Sequence, residues 1–259
     1  MLHLEGFSSS IATGTTPLLQ VSAIPSSIYP LDGSAKGFLL QSLNKIALAA
    51  FQGTHGIRAQ LQSPTLRKQP FIDIVPANRL ALFDSPVRLI DWTKAPLQLS
   101  SNEALTAFAT QNAGAGEIET IAVWFTDGPI QPRPPTPCLT VHATAAVTLT
   151  AATWTPVAFT LDTQLDPGTY AIVGMRAFSA TGLLVRIIPN SMGQTYRPGV
   201  TMVQAYGALD MKYARNGELG TLTTFSTTNL PQFELYAASA DTAEELWLDL
   251  VQTSSSVVG

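Results

Sequence analysis

Groups able to do acid–base or nucleophilic chemistry are scarce in this chain. Its three histidines, His3, His55 and His142, stand apart, without the His-x-His or His-Glu-x-x-His spacing that places two ring nitrogens on one metal ion. His55 lies in a turn-like Gly53-Thr54-His55-Gly56, and His142 alternates along a strand-like stretch, so both read as structural or exposed. Cys138 follows a proline and has no Lys or His pattern beside it to stabilise a thiolate, so it reads as a buried, inert thiol. No Gly-x-Ser-x-Gly elbow, P-loop or Gly-x-Gly-x-x-Gly is present.

Carboxylates need closeness in space rather than in sequence to cut a glycoside, so Asp73, Asp84, Asp91, Glu117 and Glu119 remain acid-pair candidates in the first half. Most of them flank turns or strand ends, where solvation explains them equally well. The acidic group Asp241, Glu244, Glu245 and Asp249 lacks the spacing of a calcium loop and reads as a solvated hairpin. Arginines in a β-domain so poor in charge suit bidentate pairing across an interface, which makes Arg176, Tyr196 and Arg197 candidate contacts between subunits. Tyr170, Phe178, Tyr196, Tyr206, Tyr213 and Phe225 could floor a sugar platform, but ordinary packing accounts for them. No catalytic, cofactor-binding or metal-binding residue is assigned, and no cofactor is expected.

The elements that carry these residues read as mainly β. Phe38, Leu39, Leu43, Ile46, Ala47, Ala50 and Phe51 recur at three- and four-residue intervals before Gly53, which predicts an amphipathic helix. Asn102 to Thr110 predicts a second, shorter one. Strands are predicted at 57–61, 71–75, 87–90 and 118–126. After a proline-rich stretch they continue at 147–150, 157–161, 169–178, 183–188, 200–206, 233–237 and 245–251. Such regular short strands, punctuated by turns like Asp166-Pro167-Gly168, belong to a sandwich or barrel.

Residues 1–33 are rich in Ser, Thr and Pro and read as an extended N-terminal arm. Residues 129–137 hold five prolines, which cannot join a central strand, and read as a semi-rigid linker. The expected domains are therefore 34–128 and 138–259. Three matches in the same order suggest duplication: Gly56-Ile57-Arg58-Ala59 with Gly174-Met175-Arg176-Ala177, residues 71–76 with 184–189, and strands centred on Trp124 and Trp247.

Only 12% of the 259 residues are charged, about half the usual share, while 46% are apolar and the net charge is −4. This excludes intrinsic disorder and a phosphate-reading basic face. No apolar run is long enough for a membrane-spanning helix, and the N-terminus lacks the pattern of a signal peptide, which points to synthesis in a reducing cytoplasm. Charge is costly at desolvated interfaces, so a surface this neutral suits burial against other copies.

Two tandem β-units, an N-terminal arm, a proline linker, low charge and one unpaired cysteine together resemble the double jelly-roll major capsid proteins of tailless icosahedral viruses and bacteriophages. The resemblance implies an all-β fold of two tandem jelly rolls with one or two short helices, and a structural, non-enzymatic role. It implies a homotrimer forming pseudo-hexagonal capsomers, then a shell lattice in the virion after synthesis in the host cytoplasm. Partners would be the chain itself and other virion proteins, with the arm touching an internal membrane or neighbouring subunits. Sequence-specific nucleic-acid binding is not implied. Two other readings stand beside it: a carbohydrate- or receptor-binding β-sandwich of a phage tail or fibre, and a β-sandwich glycoside hydrolase or lyase.

Overall fold

The computed structural model describes residues 2–12, 14–17, 19–20, 38–40, 43–53, 56–66, 72–74, 77–78, 88–100, 103–111, 117–130, 132–190, 196–204 and 211–255. The chain divides into two compact units, Leu4–Gly128 and Pro129–Gly259, the latter also taking Met1–His3. Both are built of β-strands.

The first half begins with β1 (Leu2–Ile11), β2 (Gly14–Pro17), β3 (Leu19–Gln20), β4 (Phe38–Leu40), β5 (Lys45–Gly53) and β6 (Gly56–Gln62). It continues with β7 (Ile72–Ile74), β8 (Ala77–Asn78), β9 (Arg88–Asp91), β10 (Leu97–Gln98), β11 (Glu103–Gln111) and β12 (Glu117–Thr126). One sheet runs β3-β1-β12-β5-β10, with β8 and β9 also on β5. The other runs β2-β11-β6-β7, with β4 also on β11.

The second half holds β13 (Leu139–Ala145), β14 (Trp154–Val157), β15 (Thr160–Leu161), β16 (Gly168–Phe178) and β17 (Gly182–Ile188). Then come β18 (Gly199–Thr201), a short 3₁₀ turn at Lys212–Ala214, β19 (Thr223–Ser226), β20 (Gln232–Ala237) and β21 (Glu244–Ser255). Its sheets run β15-β13-β21-β16-β19 and β14-β20-β17-β18.

The two halves follow one pairing rule. In the second, the outermost strands pair first with last, and the rule continues inward: β13 with β21, β14 with β20, β16 with β19 and β17 with β18. The ribbon so formed rolls up where β21 also pairs β16 and β20 also pairs β17. In the first half β1 lies beside β12, β2 pairs β11, β5 pairs β9 and β10, and β6 pairs β7. There the ribbon closes through β12 on β5 and β11 on β6. Even the prolines obey it. Pro17 in β2 and Pro156 in β14 sit in corresponding edge strands, the place in a sheet where a missing amide donor is tolerated.

Both predicted helices are strands instead. In β5, Ile46 to Phe51 are all buried, and a run that is apolar at every position satisfies a helical spacing and a doubly covered strand equally. In β11 the buried residues are Glu103, Leu105, Ala107, Ala109 and Gln111, a period of two hidden beneath helix-favouring Ala and Leu. The expected arm is also corrected. Leu2–Ile11 is a strand, with Leu2, Leu4 and Phe7 in the core, because Leu2-His3-Leu4-Glu5 alternates as a strand does. Residues 21–33 of that segment lie outside the described residues.

The predicted strand at 147–150 is a loop whose Leu149 is buried and whose amide bonds to the Asp241 carbonyl at 2.9 Å. The one predicted at 157–161 is split, since the chain leaves β14 in one sheet and enters β15 in the other. Of the three repeat matches, only the tryptophan strands correspond, as the closing strands β12 and β21. Gly56 lies in β6 and Gly174 in β16, while residues 72–74 form β7 and 184–188 belong to β17, and neither of these pairs occupies matching places in the ribbon.

Candidate functional site

The charged residues singled out in the second half turn inward. Arg176 on β16 faces Asp249 on the neighbouring β21. Its two terminal nitrogens meet the two carboxylate oxygens at 2.9 and 3.0 Å, with both side chains buried. Thr140 Oγ1 and the Asn216 amide donate to the same carboxylate at 2.7 and 3.0 Å. Burial alone would raise the Asp249 pKa, but the Arg176 bond, the Asn216 amide and Thr140 turn the shift downward. The bidentate pairing expected of Arg176 across an interface is thus made within its own unit.

A second buried group contains Arg197. Glu234 on β20 meets Arg186 Nη2 at 2.7 Å and Arg197 Nε at 3.3 Å, and the Arg186 guanidinium lies 3.6 Å from the centroid of the Trp154 ring. The Arg197 amide donates to His3 Nδ1 at 3.0 Å, and its Nη1 to the Tyr196 carbonyl at 3.3 Å. Of the three candidate contact residues, Arg176 and Arg197 are therefore buried, and Tyr196 is half-buried.

His142 is held from both sides. Nδ1 faces Asp162 and Nε2 faces Glu245 at 3.2 Å, and the ring leans on Trp247 at 4.7 Å. With a carboxylate at each nitrogen, the ring presents neither to a substrate. His55 lies outside the described residues. Cys138 is half-buried against Ala171, Val173 and Val251, and burial followed by the Asp249 charge raises its thiol pKa, the opposite of nucleophile activation.

Of the acid-pair candidates, Asp91 and Glu119 do not converge. Asp91 is exposed and caps its own turn through the Thr93 amide and hydroxyl at 2.7 and 2.6 Å. Glu119 is buried, and it faces Gly53 across the β5 ladder while Asp91 faces Leu48. Five residues of strand separate those positions, about 16 Å, well beyond the spacing of a glycosidase pair. Asp73 and Glu117 lie on β7 and β12. Asp84 lies outside the described residues. Among the described residues, no three His, Cys, Asp or Glu side chains gather as a metal site.

The acidic group at the end of the second half is not the solvated hairpin expected. Glu244 is 1% exposed, and neither carboxylate oxygen has a hydrogen-bond partner of good geometry. Burial, then the nearby Asp241 charge, pushes its pKa up to about 7, only partly offset by the Val147 amide. Asp241 is better served. Ser179 Oγ, the Thr181 amide and the Thr242 amide donate to it at 2.6, 3.2 and 2.8 Å, and they outweigh its desolvation. The signal for Glu244 was its parity with Leu246, Leu248 and Leu250, the inward face of β21.

The aromatic candidates pack rather than form a platform. Tyr170 stacks on Phe225 at 5.9 Å, and both are buried. Tyr213 bonds to Thr201, and its burial raises the phenol pKa to about 12. Tyr206 lies outside the described residues. Among the described residues, the large apolar side chains left exposed are Ile57, Leu139 and Leu230. Leu230 rims a cleft of about 20 Å³ between the two sheets of the second unit, floored by Phe159, Phe225, Phe233 and Leu248.

No protein-family model and no curated protein matches the sequence. Among solved structures, the chain is similar to the major capsid protein of bacteriophage PM2. The identity is 10% and the TM-score 0.28, over 98% of this chain and 100% of that one. It is similar to a chain in the atomic structure of Sulfolobus turreted icosahedral virus at 11% identity and a TM-score of 0.27, over 97% and 91%. A glycoside hydrolase domain of Endo-D from Streptococcus pneumoniae R6 stands beside them at 10% and 0.26, over 94% of this chain and 33% of that one. Likenesses this low carry no argument about function.

Proposed function

We propose that this chain is a structural, self-assembling shell protein, the major capsid protein of a virus or phage, built from two tandem jelly rolls. The observation that carries the reading is the repeated pairing rule. An eight-strand ribbon paired first with last and rolled into two sheets is the connectivity of a jelly roll, and the strand pairings of both halves support that reading. Three copies of a two-roll chain would set six similar rolls around one axis, which suits a pseudo-hexagonal capsomer.

The chemistry of the surface supports the same reading. Charge is sparse overall, and much of what the second unit has is consumed inside it by Asp249, Glu234 and their arginines. What remains exposed there is largely Thr, Ala, Pro and Ser, so few charges would have to be desolvated against another copy. The chain would reside in the virion after synthesis in the host cytoplasm.

The test is the mass of the purified full-length chain, by light scattering after size-exclusion chromatography and by negative-stain imaging. A trimer, or closed particles, is expected. A chain that stays monomeric at tens of micromolar and forms no particles overturns the reading.

A further inference from the structure

We propose that a groove of about 280 Å³ on the second unit is a binding site for a neutral, hydroxyl-rich ligand, a glycan of the hexose class. It is lined by Thr169, Asn190, Thr224, Phe225, Ser226 and Asn229. The inference stands independently of the shell assignment.

Three features carry it. First, no lining residue is ionisable, so the site offers no counter-charge to a phosphate, a sialic acid or a charged peptide. Second, its hydrogen-bonding groups are fixed by the fold. Thr169 on β16 lies directly opposite Ser226 on β19, and Thr224, two residues along, shares that face. Behind them Phe225 is stacked on Tyr170, which stiffens this corner of the sheet.

Third, two amides are held as a pair. Asn190 Nδ2 donates to the Asn229 carbonyl, the Asn229 Oδ1 and the Leu230 carbonyl at 3.2, 3.0 and 2.8 Å. This uses the donor of Asn190 and the acceptor of Asn229, and leaves an acceptor on the one and a donor on the other. Neither of these, nor the hydroxyl of Thr169 or Thr224, has a partner among the described residues. A fixed acceptor beside a fixed donor is the complement of two adjacent sugar hydroxyls, each of which donates and accepts. A groove of this volume takes about one or two sugar rings, near the lower end of ligand sites. Among the described residues β19 is the edge of its sheet, and the groove lies along that edge.

The experiment is saturation-transfer difference NMR on the full chain with galactose, glucose, mannose, N-acetylglucosamine and lactose, and with sialyllactose as the charged comparison. Saturation transfer to at least one neutral sugar, with millimolar affinity, is expected. Asn229→Ala and Thr224→Val should each weaken it at least fivefold while leaving the melting temperature within a degree or two. No transfer to any neutral sugar, transfer only to sialyllactose, or binding unchanged in both variants overturns the proposal. The oligomeric mass is read on the same sample. A trimer that binds no sugar defeats this inference alone, and a monomer that binds defeats only the shell assignment.

Discussion

Glu103 and Glu244 each open a strand, β11 in the first unit and β21 in the second, and both are buried. Their surroundings are opposite. Around Glu103, Thr65 gives its amide and its hydroxyl, the latter at 2.6 Å, and the Ser100 amide gives a bond of 2.7 Å. Burial would raise its pKa, yet these donors and the Ser63 hydroxyl pull it down to about 2. Around Glu244, burial and Asp241 act together with little opposition, and the pKa rises to about 7. Burial is common to both; the supply of donors decides the sign.

The largest test of that principle uses a third buried carboxylate, Asp249, whose donors include a full positive charge. Asp249→Asn should cost about 3–5 kcal/mol in urea unfolding, because it strands the buried Arg176. Replacing both partners, Arg176→Met with Asp249→Leu, should recover much of the loss, since the pair then leaves no unpaired charge. A single substitution costing under about 1 kcal/mol would show that donor supply matters less than supposed.

Glu103→Gln should cost about 1–3 kcal/mol, because the amide cannot accept all the bonds that the carboxylate does. The pH dependence gives the sign. An unfolded glutamate titrates near 4.5 and the folded Glu103 near 2, so its contribution is complete above pH 4.5 and is lost as pH falls through 2. Thermal melts of the wild type should lose stability over that range, and those of the variant should lose less. Equal acid legs in the two proteins would remove Glu103 from the stabilising side of the comparison.

How much of the molecule was legible in its sequence depended on the strand. In the second half, expected strands at 169–178, 183–188, 233–237 and 245–251 match β16, β17, β20 and β21 within a few residues at their ends, because bulky β-formers and turn residues mark them. In the first half, β5 and β11 were hidden by alanine, which favours helices in isolation but packs between the sheets here. The tetrapeptides Gly56–Ala59 and Gly174–Ala177 look alike but hold different places in the ribbon. The real correspondence is connectivity, which only long-range pairing reveals. For the buried charges, residue type was visible and partner was not. The bond from Arg176 to Asp249 crosses 73 positions, and no local pattern announces it.

Glu244 is the smallest effect expected and the most telling. The folded state keeps its proton up to about pH 7, whereas the unfolded chain releases it near 4.5. The unfolded state therefore binds fewer protons across that window, so stability falls as pH rises through it and stays lower above. Glu244→Gln removes the charge and keeps the shape, so it should raise stability by about 1–2 kcal/mol at pH 8 and leave it unchanged at pH 4. The variant's gain should disappear along the same titration that costs the wild type its stability, measured by urea midpoints at intervals of half a pH unit. A variant less stable than wild type at pH 8 would mean that the ionised Glu244 is well solvated or paired, and the contrast with Glu103 would collapse. If the gain is found, the second unit carries a carboxyl whose charge opposes the fold near neutrality, while the first unit binds its counterpart with four donors.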